Sequence, residues 1–561
     1  MKQTNRPAWP AQVQWLVAGL CLVVYAGSFF FPLMDKDAAH HGDIALYMYQ
    51  HNDFVNLIDR GTDYLDKPHL LFWVSAASFK LFGVNTFAHR FPAFLFSLLS
   101  VYSTYRLARH LSGKTTAWLA AIILATAQSF VMAIMDARME TPLTAFIVTA
   151  TWQLVVYVDR RRTAALAFAA LSAAMAFSTK GWIGPVVAFI PVFFYILLKK
   201  QWSVLWQPRT WLFIPLFALF ISPVLYAYYL QYDLHPEKVI RGTTHHSGLR
   251  FILFDQLFER SQGFDQGGHG RNSDYFFLYH TFLWAFLPWS IAAYAALFFW
   301  LRRLVYQKKR RTTFGFAAAA FAFVLFVISF SKFKMPHYII MLFPMAALFT
   351  APYLRFVLMR PRGRKFYTVF QTCFAALVLL ITLALNFYFF KPDNIIVWIT
   401  GLLLVAAFVA LVFKRWSAMK FWYAGLAASL LLNFFLNYNF FPQVMRYQGG
   451  NELAKDFNRS GISNEQVFLV EDQAHSFDFY TGHIHPIITP DSLAARYPSV
   501  SGNYFLLSRD LRNYLSGQGF IIEPLMQRPD YNVSTIKMKF LSPATRSGSL
   551  DTLMLARIRK P

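Results

Sequence analysis

Two short stretches carry the acids that could do chemistry. "MDKDAAHHGD" holds Asp35 and Asp37, and "MDARMETPL" holds Asp136 and Glu140. Such carboxylates can divide a group transfer between them. One serves as general base toward a hydroxyl, and another holds an acceptor or a cation. Four lysines stand at comparable places: Lys67 in "YLDKPH", Lys180 in "STKGWIGP", and Lys332 and Lys334 in "SKFKMPHY". A lysine at the edge of an apolar run is costly unless it meets an anion, and a lipid phosphate or pyrophosphate suits it. The segment 231–275 adds Arg241, Arg250, Arg260 and Arg271 as further candidate phosphate contacts. Its Gly263, Gly267, Gly268 and Gly270 suit a lid that orders on substrate binding. His40, His41, His245, His246 and His269 show no metal-ligand spacing, and Asp59 and Asp63 in "DRGTD" read as turn formers.

The elements that must position these groups are apolar. The chain of 561 residues is 56% hydrophobic and 19% aromatic, only 14% is charged, and the mean hydropathy is +0.37. Apolar runs near 13–32, 87–105, 117–134, 142–158, 164–178, 183–198, 211–230, 276–300, 314–331, 338–354, 367–390, 395–413 and 421–441 predict about thirteen transmembrane helices. The basic clusters fall on alternate connections. Seven such segments hold 25 Lys and Arg and a single acid, Asp159, and so carry almost all of the net charge of +25. The positive-inside rule puts all seven, with the N-terminus, in the cytoplasm. The basic balance is thus a topology signal with room for membrane-lipid contact, not a nucleic-acid footprint. Cys21 and Cys373 lie within apolar runs and form no disulfide framework.

An odd number of spans puts the C-terminus on the outer face, together with loops 33–86 and 231–275. The expected architecture is an all-α polytopic membrane module over 1–442 and a small outer α/β domain over 443–561. In the latter, "QVFLVED", "HPIIT", "NYFLLS", "GFIIEPL" and "TLMLARIR" predict strands, and "GGNELAKDFNRSG" and "SRDLRNYLSGQG" predict helices that end at Gly.

Further motifs occur in a fixed order over residues 1–350. They are "MDKDA", "YLDKPHLLFWVSAASFKLFGVNTFAHRFPAF", "DARMETPLTAF", "TKGWIGP", "FLYHTFLWAFLPWS" and "SKFKMPHYIIMLFP". In this the chain resembles the ArnT-like branch of the GT-C membrane glycosyltransferases, which is related to protein O-mannosyltransferases. The resemblance implies an enzyme of the bacterial inner membrane whose C-terminal domain is periplasmic. It implies inverting transfer of a sugar from a polyprenyl phosphate to lipid A or another lipid or glycan acceptor. By its register Asp37 is the loop aspartate, with Asp35 a close rival. Glu140 is the second acid, with Asp136 beside it. Lys67 touches the donor phosphate, and Lys180, Lys332 and Lys334 fall on the other basic edge segments. One candidate cofactor is implied, a divalent cation with Asp66 as its ligand. Two positions depart from the family: His41 stands where a Tyr is common, and Asp66 where the aminoarabinose transferase has Glu. Two rival readings remain, a protein O-glycosyltransferase and a non-catalytic binder or transporter of polyprenyl lipid.

Overall fold

The computed structural model describes residues 11–240, 242–256, 274–306, 314–413, 420–471, 473–493, 495 and 502–560. Its first part is built of helices. Among the described residues six are long and apolar enough to cross a bilayer, or up to eight if each of two bent pairs counts as one span. Ile183–Lys199, Gly315–Ser329 and Ile395–Ala406 are apolar but shorter. The expected run 276–300 is two helices, Phe277–Ala285 and Ser290–Val305. The expected thirteen thus exceed what length and hydropathy support among the described residues. The expected loop 33–86 is itself largely helical, with Asp35–Ala39, His40–His51 and the apolar Leu70–Phe82.

The first helix ends in a sharp turn. Gln14–Phe30 and Asp35–His51 meet at 76°. A helix end leaves carbonyls without partners. Here the fully buried Arg90, from helix Thr86–Ser112, donates to the carbonyls of Ser28, Phe31 and Pro32. That single side chain fixes where the chain re-enters at Asp35.

A small hairpin, β1 (Ile58–Asp59) with β2 (Thr62–Asp63), precedes the Asp66–Lys67 segment. The five expected C-terminal strands are present: β3 (Val467–Val470), β4 (Ile487–Ile488), β5 (Tyr504–Ser508), β6 (Ile521–Asp530) and β7 (Asp551–Arg559). They form one sheet in the order β4-β3-β5-β7-β6. β4, β3 and β5 run parallel, whereas β7 and β6 are antiparallel. Strand alternation sends Phe505, Leu507, Met554 and Ala556 into one core, and Leu469, Leu506, Leu553 and Leu555 into another. Both faces of the central strands are covered, which is why they read as unbroken apolar runs. Helix Gly449–Ser460 ends at Gly461 in the left-handed region (φ +73°), as its sequence predicts.

Candidate functional site

Helices Glu140–Arg160 and Thr163–Lys180 form an antiparallel hairpin joined at Arg161 and Arg162. The start of the first must therefore lie beside the end of the second. This brings Glu140, in the first turn of one helix, to Lys180, the last residue of the other. Lys180 Nζ donates to Glu140 Oε1 at 2.5 Å, and both side chains are buried. Each charge also suits the helix end that carries it. Lys180 Nζ lies 4.2 Å from the centre of the Tyr338 ring. Gly181 follows at φ +67°, where a Cβ would strike the Gln256 side chain, and this stops the helix at Lys180.

Arg138 is the centre of the site. Its Nε binds Asp136 Oδ2, its Nη2 lies 3.3 Å from Asp37 Oδ2, and its Nη1 donates to His337 Nδ1 at 2.5 Å. A guanidinium only donates, so His337 Nδ1 accepts and the imidazole proton sits on Nε2. Nε2 faces Glu140 Oε1 at 3.7 Å. Three carboxylates, Asp37, Asp136 and Glu140, thus surround Arg138, His337 and Lys180. Burial pushes the Asp136 carboxyl upward, against the pull of Arg138. Burial opposes the Arg138 charge in turn, but Asp136 and then Asp37 hold it well above its ordinary value. Asp37 is the open member, with its side chain 46% exposed. Asp136 Oδ1 and Thr144 Oγ1 are buried without a hydrogen-bond partner among the described residues.

The other expected residues are placed as follows. His41 stands four residues after Asp37 in the helical segment. Its ring is stacked with His40 and packed edge-on to Phe72, and its Nδ1 is buried and unbonded. Lys67 Nζ is paired with Asp66 Oδ2. Asp35 faces away and accepts from the Ser476 backbone N–H at 2.6 Å. Lys334 Nζ is buried and holds the carbonyls of Ser329 and Asp274, at 2.9 and 2.8 Å. Lys332 is exposed. Arg260 lies outside the described residues, as do Arg241, Arg271, His269 and the four glycines of the expected lid. Asp66 does not fit a cation site among the described residues. Its Oδ2 holds an ammonium, and no three His, Cys, Asp or Glu gather around it.

Arg138 and His337 were not legible as functional residues. The signal was present, since Arg138 breaks the charge alternation as Lys180 does. A search for lysines alone passes over it.

In sequence and in overall fold the chain is similar to known proteins. A family model described as dolichyl-phosphate-mannose-protein mannosyltransferase matches residues 66–227. The structure of ArnT from Cupriavidus metallidurans bound to undecaprenyl phosphate superposes with TM-score 0.74 at 16% identity, covering 98% of each chain. The chain has the fold of that ArnT structure. An oligosaccharyltransferase from Archaeoglobus fulgidus is similar in fold at TM-score 0.50 and 12% identity, covering 92% of this chain and 69% of its own. An uncharacterized protein of Aquifex aeolicus is 26% identical over 79% of this chain and 81% of its own. Undecaprenyl phosphate-alpha-4-amino-4-deoxy-L-arabinose arabinosyl transferases match too. That of Photorhabdus laumondii is 27% identical over 29% of this chain, and transferase 1 of Pseudomonas fluorescens 24% identical over 68%. The matches span 31% and 65% of those two proteins, less than two thirds of either.

Proposed function

We propose that the chain transfers a sugar from a polyprenyl phosphate to an acceptor at the outer face of a bacterial inner membrane. The observation that carries this is the Asp37–Arg138–Glu140–Lys180 cluster at one end of the helices of an ArnT-like fold. The module over 1–442 binds the lipid-linked donor, and the region over 443–561 closes over it from the periplasmic side.

Asp37 orients the acceptor and takes its hydroxyl proton. The acceptor oxygen then attacks the anomeric carbon. The bond from that carbon to the phosphate oxygen breaks, and the electron pair leaves with a phosphate monoester. A single displacement inverts the anomeric configuration. Negative charge grows on the leaving phosphate, and Lys67 stabilises it. Arg138 lies against Asp37, so it favours the charged form of the base before each turnover.

Lipid A or a related glycolipid is the acceptor on this reading. The match to a protein mannosyltransferase family model supports a second, a protein hydroxyl. Purified full-length protein, given an undecaprenyl-phosphate sugar with glycolipid extracts or with Ser/Thr peptides, separates the two. Mass increase on the glycolipid alone is expected, and increase on peptide alone favours the second reading. Lys67→Ala is expected to raise the KM for donor far more than the KM for acceptor. Equal effects on both would count against phosphate binding at Lys67.

A further inference from the structure

A second feature lies at the far end of the same helices. The segment Pro336–Leu358 begins beside His337 in the candidate site and runs 23 residues. At 1.5 Å per residue that is roughly 35 Å, about one bilayer. Where it ends, and where the span Pro361–Phe389 begins, there is a cavity of about 590 Å³. Phe299, Tyr353, Phe356 and Val357 line it together with Arg360 and Arg362. Gly363 makes the turn tight, because a Cβ there would collide with Val357.

Among the described residues the charges at this cavity have no acidic partner. Residues 275–392 contain no Asp or Glu at all. Arg360 lies over the Phe356 ring at 4.3 Å and Arg303 over the Phe299 ring at 5.3 Å. Neither of these arginines, nor Arg362, forms an ion pair among the described residues. Phe298 and Phe366, adjacent in sequence to Phe299 and near Arg362, are exposed at 67% and 59%. An occupant must therefore be anionic at one end, apolar at the other, and present at headgroup level.

We propose that this cavity binds an anionic membrane phospholipid. Its phosphate meets Arg360 and Arg362, and its first acyl carbons lie against Phe299, Tyr353 and Phe356. A basic pocket between spans is suited to such a headgroup, and each arginine near a membrane surface strengthens the attraction severalfold.

The test uses full-length protein in neutral detergent. Phosphatidylglycerol or phosphatidylcholine with identical chains is titrated in, and melting temperature and retained lipid by native mass spectrometry are read. Phosphatidylglycerol is expected to raise the melting temperature and to be retained, with about 30-fold weaker binding to R360A/R362A. R364A/K365A, outside the cavity lining, is expected to keep most of the affinity. An equal response to phosphatidylcholine, an equal loss in R364A/K365A, or the same shift with inorganic phosphate alone would each overturn the proposal. Should the double variant fail to fold, R362A alone is expected to bind about fivefold more weakly. Unchanged binding there would overturn it as well.

Discussion

The residue that organises the site is Arg138, because it touches both aspartates and the histidine that faces Glu140. Its neighbours differ in what they tolerate. Glu140 and Lys180 are a buried pair in direct hydrogen bond. Removing one member leaves the other charge buried alone, at a cost of about 3–5 kcal/mol. Lys180→Met is therefore expected to lower thermal stability sharply. Lys180→Met with Glu140→Gln is expected to recover most of it, as melting curves of both variants will show. Arg138→Gln acts on the reaction instead. It removes the charge beside Asp37, so the acidic limb of the pH–rate profile is expected to move to higher pH. An unmoved limb would mean that Asp37 does not feel Arg138 during turnover.

Helix ends explain why these residues meet. Lys180 reaches Glu140 because two helices of 18 and 21 residues pair antiparallel and a glycine stops the first of these at the site. Gly181→Ala is expected to destabilise by about 1–3 kcal/mol, since it forces a Cβ into φ +67° and against Gln256. The helices and strands themselves were legible. Apolar runs mark the spans, and the short unbroken apolar runs in "NYFLLS" and "TLMLARIR" mark the central strands. Three things were not legible. The loop 33–86 hid Leu70–Phe82 because that helix is only 13 residues long, too short to flag as a span. Asp35 and Asp37 are two residues apart and looked equivalent, yet they face different partners because the turn at Arg90 aims them. Lys334 resembled Lys180 as an edge lysine, but it satisfies the carbonyl of Ser329 at a helix end.

At the scale of the whole molecule, the C-terminal region is tied to the segment that carries Asp37. Arg60, almost fully buried, donates to Asp478 Oδ2 at 2.8 Å and to the Gln473 carbonyl at 3.0 Å. His475 binds Asp43 at 2.8 Å, and Gln448 holds the Leu33 carbonyl at 2.9 Å. Asp35 closes the set through Ser476. The region is thus positioned to shape what approaches Asp37. Its stability carries a pH signature. Asp530 accepts from the Gly449 N–H at 2.7 Å, and burial pushes its carboxyl up to about 6. The folded state holds this proton more tightly than the unfolded state. The contribution of Asp530 to stability is therefore full below about pH 4 and is lost as the pH rises to about 6, about 3 kcal/mol in all. Asp530→Asn, which keeps the acceptor oxygen, is expected to flatten that fall in melting temperature between pH 4 and 7.

The central claim is that Asp37, set against Arg138, is the base of a sugar transfer from a polyprenyl phosphate. The most direct measurement is the rate of sugar transfer from an undecaprenyl-phosphate donor by purified full-length protein, compared between wild type, Asp37→Asn and Asp35→Asn. Asp37→Asn is expected to lose at least about 100-fold in rate with unchanged melting temperature, and Asp35→Asn to retain most of it. Near-normal transfer by Asp37→Asn would contradict the account.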